Sequence, residues 1–238
     1  MARAAEAGRL RYENLSLASL SLGAGCIDVL SFLGLGDVFT SAMTGNTALL
    51  AIAIGQGRVL AASRSLCSLL GFTVGVVLAA LLYAPWNAQR DGGRPLTRIL
   101  LLELLFLGAC TVLWTASPQP IQGGAVYAVI ALASLSMGIQ AVGARSINSS
   151  GISTIVFTTG LIHIVMSATG RLAGRRVAMK APSDHGHLPA FAAYGCGAVV
   201  AAVVISHYLK LLVWMPITAV MIALVCSVLT NRREPDAA

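Results

Sequence analysis

The chain has 238 residues, of which 57% are hydrophobic and only 11% are charged, and its mean hydropathy is +0.81. A soluble domain carries about 25% charged residues, so this composition excludes an ordinary soluble protein and predicts an all-α membrane protein. The net charge of +7 and the pI near 9.6 fit the enrichment of Lys and Arg in cytoplasmic loops. We therefore expect no nucleic-acid partner.

The segment before the first apolar stretch, MARAAEAGRLRYEN, is polar and basic and lacks the apolar region of a cleavable signal peptide. We therefore expect the first apolar stretch to stay in the membrane. A span needs about 20 mostly apolar residues, and eight stretches approach that length, which predicts a bundle of about eight spans. Six or seven spans are the alternatives, because only SHYLK separates the last two stretches. The stretches are 15–33, 38–56, 66–84, 97–116, 121–142, 152–170, 189–208 and 211–230.

The distribution of Lys and Arg predicts that both termini are cytoplasmic. With the N-terminus inside, 11 of the 16 basic residues fall in inner segments and 5 in outer segments. The awkward feature is the outer loop NAQRDGGRPLTR, which carries three arginines. The five outer residues are Arg90, Arg94, Arg98, Arg145 and Lys210.

An internal repeat is visible in the sequence. LASLSLG at 17–23 matches LASLSMG at 132–138 in six of seven residues, and GVVLAAL at 75–81 resembles GAVVAAV at 197–203. The first match, extended without a gap, places Thr44-Gly45 on Thr159-Gly160. We predict two four-span repeats, about 15–116 and 121–230, within one membrane domain (1–238). An even number of spans per half predicts parallel repeats.

Polar residues within the spans are the informative minority. On the predicted topology they share one depth, between the outer surface and the midplane, which predicts a polar cavity that binds a solute or an ion. A lone carboxylate there is costly, so we expect Asp28 to pair with Arg145. In the alternative, the two residues do not pair: Asp28 lies at a helix end in the membrane–water interface, and the side chain of Arg145 extends outward to water. The candidate binding residues are Asp28, Thr44, Gly45, Asn46, Glu103, Gln140, Arg145, Thr159 and Gly160.

Two glycine patterns favour different structures. Gly45, flanked by Thr44 and Asn46, is typical of a place where a membrane helix breaks and frees backbone groups for a ligand. Close helix packing by small residues is the alternative for the same pattern. The pattern Gly-x-x-x-Gly that begins at Gly71 and ends at Gly75 predicts a helix-packing face.

No motif predicts a metal site, a cofactor site or an enzyme. The five cysteines occur singly, without a Cys-x-x-Cys pair. His185 and His187 in APSDHGHLP form only a weak metal motif. The sequence contains no phosphate-binding glycine loop, nucleophile elbow or metalloprotease motif. We expect a protein without cofactor or catalytic residues.

Two long segments carry a resemblance to a known family. GCIDVLSFLGLGDVFTSAMTGN, followed by LLGFTVG, and GIQAVGARSINSSGISTIVFTTGLI in the second half resemble the YoaK family of bacterial inner-membrane proteins, a domain of unknown function. The resemblance covers nearly the whole chain. It implies a multi-pass protein of the bacterial inner membrane and supplies no substrate. The family pattern has Asn after the glutamine of the fifth span, where this chain has Ala141.

These features favour a small-solute transporter or permease, in which two halves rock around a shared polar cavity. The sequence has no nucleotide site, so transport would be coupled to an ion gradient or uncoupled. The alternative is a non-transporting scaffold, sensor or partner subunit. The expected partners are the lipid bilayer and a small solute or ion, and a homo-oligomer stays open.

Overall fold

The computed structural model describes residues 2–83, 95–147, 165 and 187–232. These residues form seven helices and, within the described ranges, no strand. The predicted all-α fold is confirmed. The helices are α1 (Ala2–Leu35), α2 (Met43–Gly55), α3 (Val59–Tyr83), α4 (Pro95–Ala116), α5 (Gly124–Ile147), α6 (His187–Leu212) and α7 (Met215–Arg232).

Five helices contain a stretch long and apolar enough to cross a membrane. The apolar part of α7, Met215–Thr230, is somewhat shorter. Together these six helices match six of the predicted stretches. The five longer stretches are Leu10–Leu35, Val59–Leu82, Leu96–Ala116, Gly124–Ile147 and Leu188–Ile205.

The predicted span at 38–56 is wrong. Residues 36–42 are not helical, and α2 has 13 residues. At 1.5 Å per residue α2 is about 20 Å long, less than the roughly 30 Å of a bilayer's hydrocarbon core. Gly36 and Asp37, with φ of 87° and 58°, turn the chain at the end of α1. The predicted span at 152–170 lies outside the described residues.

Contacts along α1 and α5 show that these two helices run in opposite directions. The side-chain amide of Gln140, late in α5, donates a 2.8 Å hydrogen bond to the carbonyl oxygen of Leu20, in the first half of the α1 span. Ile27 and Leu30, late in α1, line one cavity together with Val129, early in α5. Parallel repeats require the first helices of the two halves to run the same way, so that prediction is wrong.

Helix α3 runs parallel to α5. Cys67 contacts the carbonyl oxygen of Tyr127, and two turns further along both helices Gly75 lies against the carbonyl of Leu135. Ala131 lies against Gly71 in the same way. The predicted packing face is therefore confirmed, and its partner is α5.

Helix α6 runs parallel to α1. Gly197 lies against the carbonyl of Leu22, and further along the two helices Ala201 packs in one cluster with Leu30. In both pairs, α1–α6 and α3–α5, the two helices therefore run parallel and their backbones approach closely at a glycine.

The remaining two long helices are antiparallel to their neighbours. In α4, Ile99 lies against Gly143 of α5, and Cys110 contacts the carbonyl oxygen of Val129. In α7, Pro216 lines a cavity with Ile27 and Leu30 of α1, and Ala219, further along α7, lies against the earlier Gly23. It follows that α1, α4 and α6 run one way and α3, α5 and α7 the other. Both α1 and α7 therefore have their chain-terminal ends at one face of the bundle, which we call the N-terminal face.

The two parallel pairs make matching glycine contacts. A Cβ atom on Gly138 would collide with the backbone of α3 at Phe72, and a Cβ on Gly25 would collide with the backbone of α6 at Tyr194. Phe72 and Tyr194 are 122 positions apart. The same spacing separates Val76 and Ala198, whose backbone nitrogens are also close to the added Cβ atoms. The glycines themselves are 113 positions apart, whereas LASLSLG and LASLSMG are 115 positions apart, so these contacts do not support that alignment. The backbones approach so closely that only glycine fits.

The contact of Gly197 with the backbone of α1 gives a matched pair of substitutions within α6. We expect Gly197→Ala to lower the free energy of unfolding by about 1–3 kcal/mol, because the new methyl group collides with the backbone of α1. Gly195→Ala, with nothing within 4 Å of the new atom, should be neutral or stabilise by up to about 1 kcal/mol. Thermal unfolding of the purified variants in detergent measures both. Equal stability of the two variants would contradict the close contact.

Candidate functional site

Asp28 lies in the last third of the apolar part of α1, and 1% of its surface is exposed. The turn at Gly36 and Asp37 folds residues 38–42 back against α1. Both carboxylate oxygens of Asp28 then accept hydrogen bonds from this returning chain. Oδ1 accepts from the backbone N–H groups of Thr40 (2.8 Å) and Ser41 (2.7 Å) and from the hydroxyl of Thr40 (3.2 Å).

Oδ2 of Asp28 accepts from two hydroxyl groups. Ser41 donates at 2.6 Å, and Tyr194 of α6 donates at 2.9 Å. The carboxylate is thus surrounded by five donors, two of them backbone amides. Hydrogen bonds to an ionised acceptor are roughly twice as strong as neutral ones, which makes this cage suited to a buried negative charge.

Asn46 holds the same chain segment from the other side. It is fully buried in the first turn of α2. Its side-chain amide accepts from the backbone N–H of Phe39 (2.9 Å) and donates to the carbonyl of Phe39 (2.6 Å). The amide also donates to Ser68 of α3 (2.8 Å), whose hydroxyl lies 2.7 Å from that of Ser134 in α5.

The chain from residue 36 to residue 55 therefore forms one unit, which we call the broken segment: a loop (36–42) followed by the short helix α2. Its loop lies beside the α1 span at Asp28 and beside the middle of α3 at Ser68. Non-helical backbone at such a depth requires partners from the protein, because hydrocarbon supplies none. Asp28 and Asn46 supply them.

Thr44 and Gly45 lie at the start of α2 with different surroundings. A Cβ atom on Gly45 would lie 2.9 Å from the ring of Phe39, so the glycine lets that ring pack against the helix. Thr44 is exposed, and its hydroxyl has no hydrogen bond to any described residue. Arg64 of α3 lies against Gly36 at the end of α1, where positive charge is favourable.

The predicted ion pair between Asp28 and Arg145 is wrong. Arg145 is exposed near the end of α5, at the N-terminal face. Because α1 and α5 are antiparallel, the end of α5 lies beside the early part of α1. Asp28, in the last third of the α1 span, is therefore far from Arg145. Gln140 is buried and bonded to Leu20. Thr159 and Gly160 lie outside the described residues.

Glu103 lies in α4, fully buried, and within the described part of the chain both of its carboxyl oxygens lack a hydrogen-bond partner. It does not join the cage around Asp28. A cavity of about 10 Å³ lies nearby, one turn further along α4 at Leu107, with room for a single water molecule. Its lining is mostly apolar and includes none of the predicted binding residues. Two buried polar atoms of the lining residues, Ser31 Oγ and Trp114 Nε1, also lack hydrogen-bond partners among the described residues.

Sequence reasoning missed the residues that complete the cage: Thr40, Ser41 and Tyr194, together with Ser68 and Ser134. One signal was present. The pair Thr40-Ser41 follows a Gly-Asp turn, and Ser and Thr next to a turn are typical donors to a nearby acceptor. Tyr194 carried no sequence signal, because its position opposite Asp28 depends on the helix pair α1–α6.

Comparison with known proteins places the chain in a family. The family described as "Protein of unknown function (DUF1275)" matches residues 16–227. This chain belongs to the DUF1275 family. It is 33% identical over 217 residues to the UPF0700 transmembrane protein YoaK of Bacillus subtilis (strain 168), which covers 88% of this chain and 91% of that protein. The resemblance to the YoaK family is confirmed, and the DUF1275 chain is a multi-pass membrane protein. No solved structure matches it.

The cage gives a test with a matched control in the same loop. We expect Asp28→Asn to lower the free energy of unfolding by about 3 kcal/mol, because the new amide N–H group faces donors that then lack an acceptor. Asp37→Asn removes the same charge from an exposed residue with φ of 58°, a conformation that asparagine tolerates. Its unfolding temperature in detergent should equal that of the wild type. An Asp28→Asn variant as stable as the control would contradict the cage.

Proposed function

We propose that the protein is a small-solute permease of the bacterial inner membrane. The observation that carries this proposal is the broken segment, whose loop lies at membrane depth and is held by Asp28 and Asn46. Irregular backbone at that depth is tolerated where it is buried in protein or lines a cavity, and broken helices are typical of secondary transporters.

The proposal includes an inverted repeat, with the halves at about 15–116 and 121–230. The matching glycine contacts of α1–α6 and α3–α5 support it. The antiparallel contact between α1 and α5, the first helices of the two halves, supports an axis in the membrane plane. Each half then contains three crossing helices, and an odd number inverts the second half relative to the first.

The distribution of basic residues supports the same architecture. With six crossing helices, α3 ends and α4 begins at the N-terminal face, which removes the awkward outer arginines. Of the basic residues in the described ranges, Arg58, Arg64 and Lys210 then belong to the opposite face. The positive-inside rule makes the N-terminal face cytoplasmic, with both termini inside. The described basic residues of this face are Arg3, Arg9, Arg11, Arg98, Arg145 and Arg232.

In the proposed mechanism, the pairs α1–α6 and α3–α5 move as rigid units relative to each other. The broken segment is bonded to both pairs: its loop donates to Asp28 of α1, which also accepts from Tyr194 of α6, and its Asn46 donates to Ser68 of α3. The exposed hydroxyl of Thr44 and the first turn of α2 are then the groups of this segment that contact a solute. Asp28 and Asn46 position them.

The position of residue 90 distinguishes the six-crossing architecture from an eight-span one. We expect a reporter active only in the cytoplasm to be active when fused at residue 90, and inactive when fused after Gly57 or Gln119, because these sites lie at opposite ends of the crossing helices. Fusions at residue 235 serve as the cytoplasmic control. A residue 90 outside the cell would overturn the inverted repeat.

Cysteine labelling tests whether Thr44 faces water, as a permease requires. In a background with the exposed Cys196 replaced by Ser, we expect Thr44→Cys to react with a membrane-impermeant maleimide in intact vesicles. Val77→Cys is the control, because Val77 is 52% exposed within an apolar span and should face lipid. A thiol in hydrocarbon does not ionise and should not react.

If Thr44→Cys is as unreactive as Val77→Cys, the broken segment faces lipid and the permease proposal fails. A non-transporting scaffold, sensor or partner subunit then becomes the better interpretation. If Thr44→Cys reacts, a solute that protects it from labelling identifies the class of substrate.

A further inference from the structure

We propose that Glu103 is a proton-binding carboxyl group in the membrane interior, which exchanges its proton with the N-terminal face. Its side chain is fully buried within the apolar stretch Leu96–Ala116 of α4. Neither Oε1 nor Oε2 has a hydrogen-bond partner among the residues that the structure describes. An ionisable group at such a place is rare unless it has a function.

The comparison with Asp28 shows that this fold can surround a buried carboxylate with donors, which Glu103 does not receive from the described residues. The same fold gives Asp28 five donors, two of them backbone amides. An ionised carboxylate without a partner is far more costly to bury than the neutral acid. The site around Glu103 therefore accommodates the protonated form, and loss of the proton requires water to enter or the helices to move.

Packing alone does not require a carboxyl group at this position. The run Cys110-Thr111-Val112-Leu113 of α4 matches Cys226-Ser227-Val228-Leu229 of α7, 116 positions later. Cys110 contacts the carbonyl oxygen of Val129 in α5, and Cys226 lies near Ser16 in α1. The counterpart of Glu103 is then Ala219, which packs closely against Gly23.

The same correspondence gives the surroundings of Glu103. Gly23 corresponds to Ser136, so Glu103 lies at the level of Ser136 and Gln140 on α5. Both residues are buried, polar and uncharged. Glu103 is eight residues from the start of α4, about 12 Å along the helix axis, and helical side chains lean toward the start of their helix. The carboxyl group therefore points toward the N-terminal face.

Other titratable groups on the surrounding helices do not hold the charge of Glu103. None of those described is hydrogen-bonded to its carboxyl oxygens or ion-paired with them. The pH dependence of this site therefore comes from Glu103 itself. The groups concerned are Arg98 and Cys110 on α4, Tyr127 and Arg145 on α5, Cys226 on α7, Arg64 and Cys67 on α3, and Arg11, Tyr12, Glu13, Cys26 and Asp28 on α1.

Dicyclohexylcarbodiimide tests the proposal without a substrate, and the result does not depend on whether the protein transports a solute. This apolar reagent reacts with protonated carboxyl groups in hydrophobic surroundings. The acid O–H adds across a C=N bond, and the acyl group then shifts from oxygen to nitrogen, so nothing leaves and the peptide gains the whole reagent. We expect wild-type protein in liposomes to gain one reagent at Glu103, located by peptide mass spectrometry.

Labelling should decrease several-fold as the pH is raised, because the protonated fraction falls. It should be lost in Glu103→Gln and unchanged in Glu13→Gln, which alters a partly exposed carboxyl group in α1. Absence of label at Glu103, or labelling that does not change with pH, would overturn the proposal. Labelling that sodium ions block at constant pH would also overturn it, in favour of a metal-cation site.

Infrared spectroscopy provides a second measurement that does not need the reagent to reach the site. The wild-type protein should show the carbonyl band of a protonated carboxyl group, which disappears in Glu103→Gln and is retained in Glu13→Gln. Glu103→Leu should fold and melt no lower than the wild type, since no hydrogen bond is lost. A wild type without that band, or a Glu103→Leu variant that fails to fold, would show that the carboxyl group is not a proton site.

Discussion

The hydrogen bonds from the backbone of Thr40 and Ser41 to Asp28 are the interaction on which the rest of the membrane-embedded structure depends. A chain that leaves the helical conformation within hydrocarbon exposes amide and carbonyl groups that no solvent satisfies. A carboxylate in the same place has the opposite need, since it requires donors. The two needs are met together, because the turn after α1 brings the free amides to the carboxylate. Neither the loop nor the buried charge would be stable at this depth alone.

Asn46 extends this arrangement from one helix to the whole bundle. Its amide bonds to both backbone groups of Phe39 and also to Ser68, which in turn contacts Ser134. Ser134 immediately precedes Leu135, the residue of α5 that lies against Gly75. On the other side, Tyr194 bonds to Asp28 at the place where α6 meets Gly25. The broken segment is thus attached to the closest contact of each helix pair, so a relative movement of the pairs must displace it.

The sequence predicts the six long helices well, because each is a nearly continuous apolar stretch and that signal does not depend on tertiary contacts. It mispredicts 38–56, because hydropathy does not distinguish an apolar loop followed by a short helix from a span. With that error corrected, the proposed halves each contain three crossing helices, and an odd number gives inverted rather than parallel repeats. The arginines in NAQRDGGRPLTR were the contrary signal. The predicted pairing of Asp28 with Arg145 failed because backbone amides and hydroxyl groups supply the donors, and neither charge nor hydropathy along the sequence indicates them.

In the proposed inverted repeat, the two halves differ in their buried carboxyl groups. If the glycine contacts correspond, the counterpart of Asp28 is Ala141, and the counterpart of Glu103 is Ala219. Both buried carboxyl groups of the described helices therefore belong to the first half, where one is surrounded by donors and the other has none. A fully satisfied carboxylate resists any change in its surroundings, while an unsatisfied one gains hydrogen bonds when water or a moving helix brings donors to it. Asp28, with its five donors, therefore stabilises the fold. Glu103, which is proposed to bind a proton, responds to a change in its surroundings.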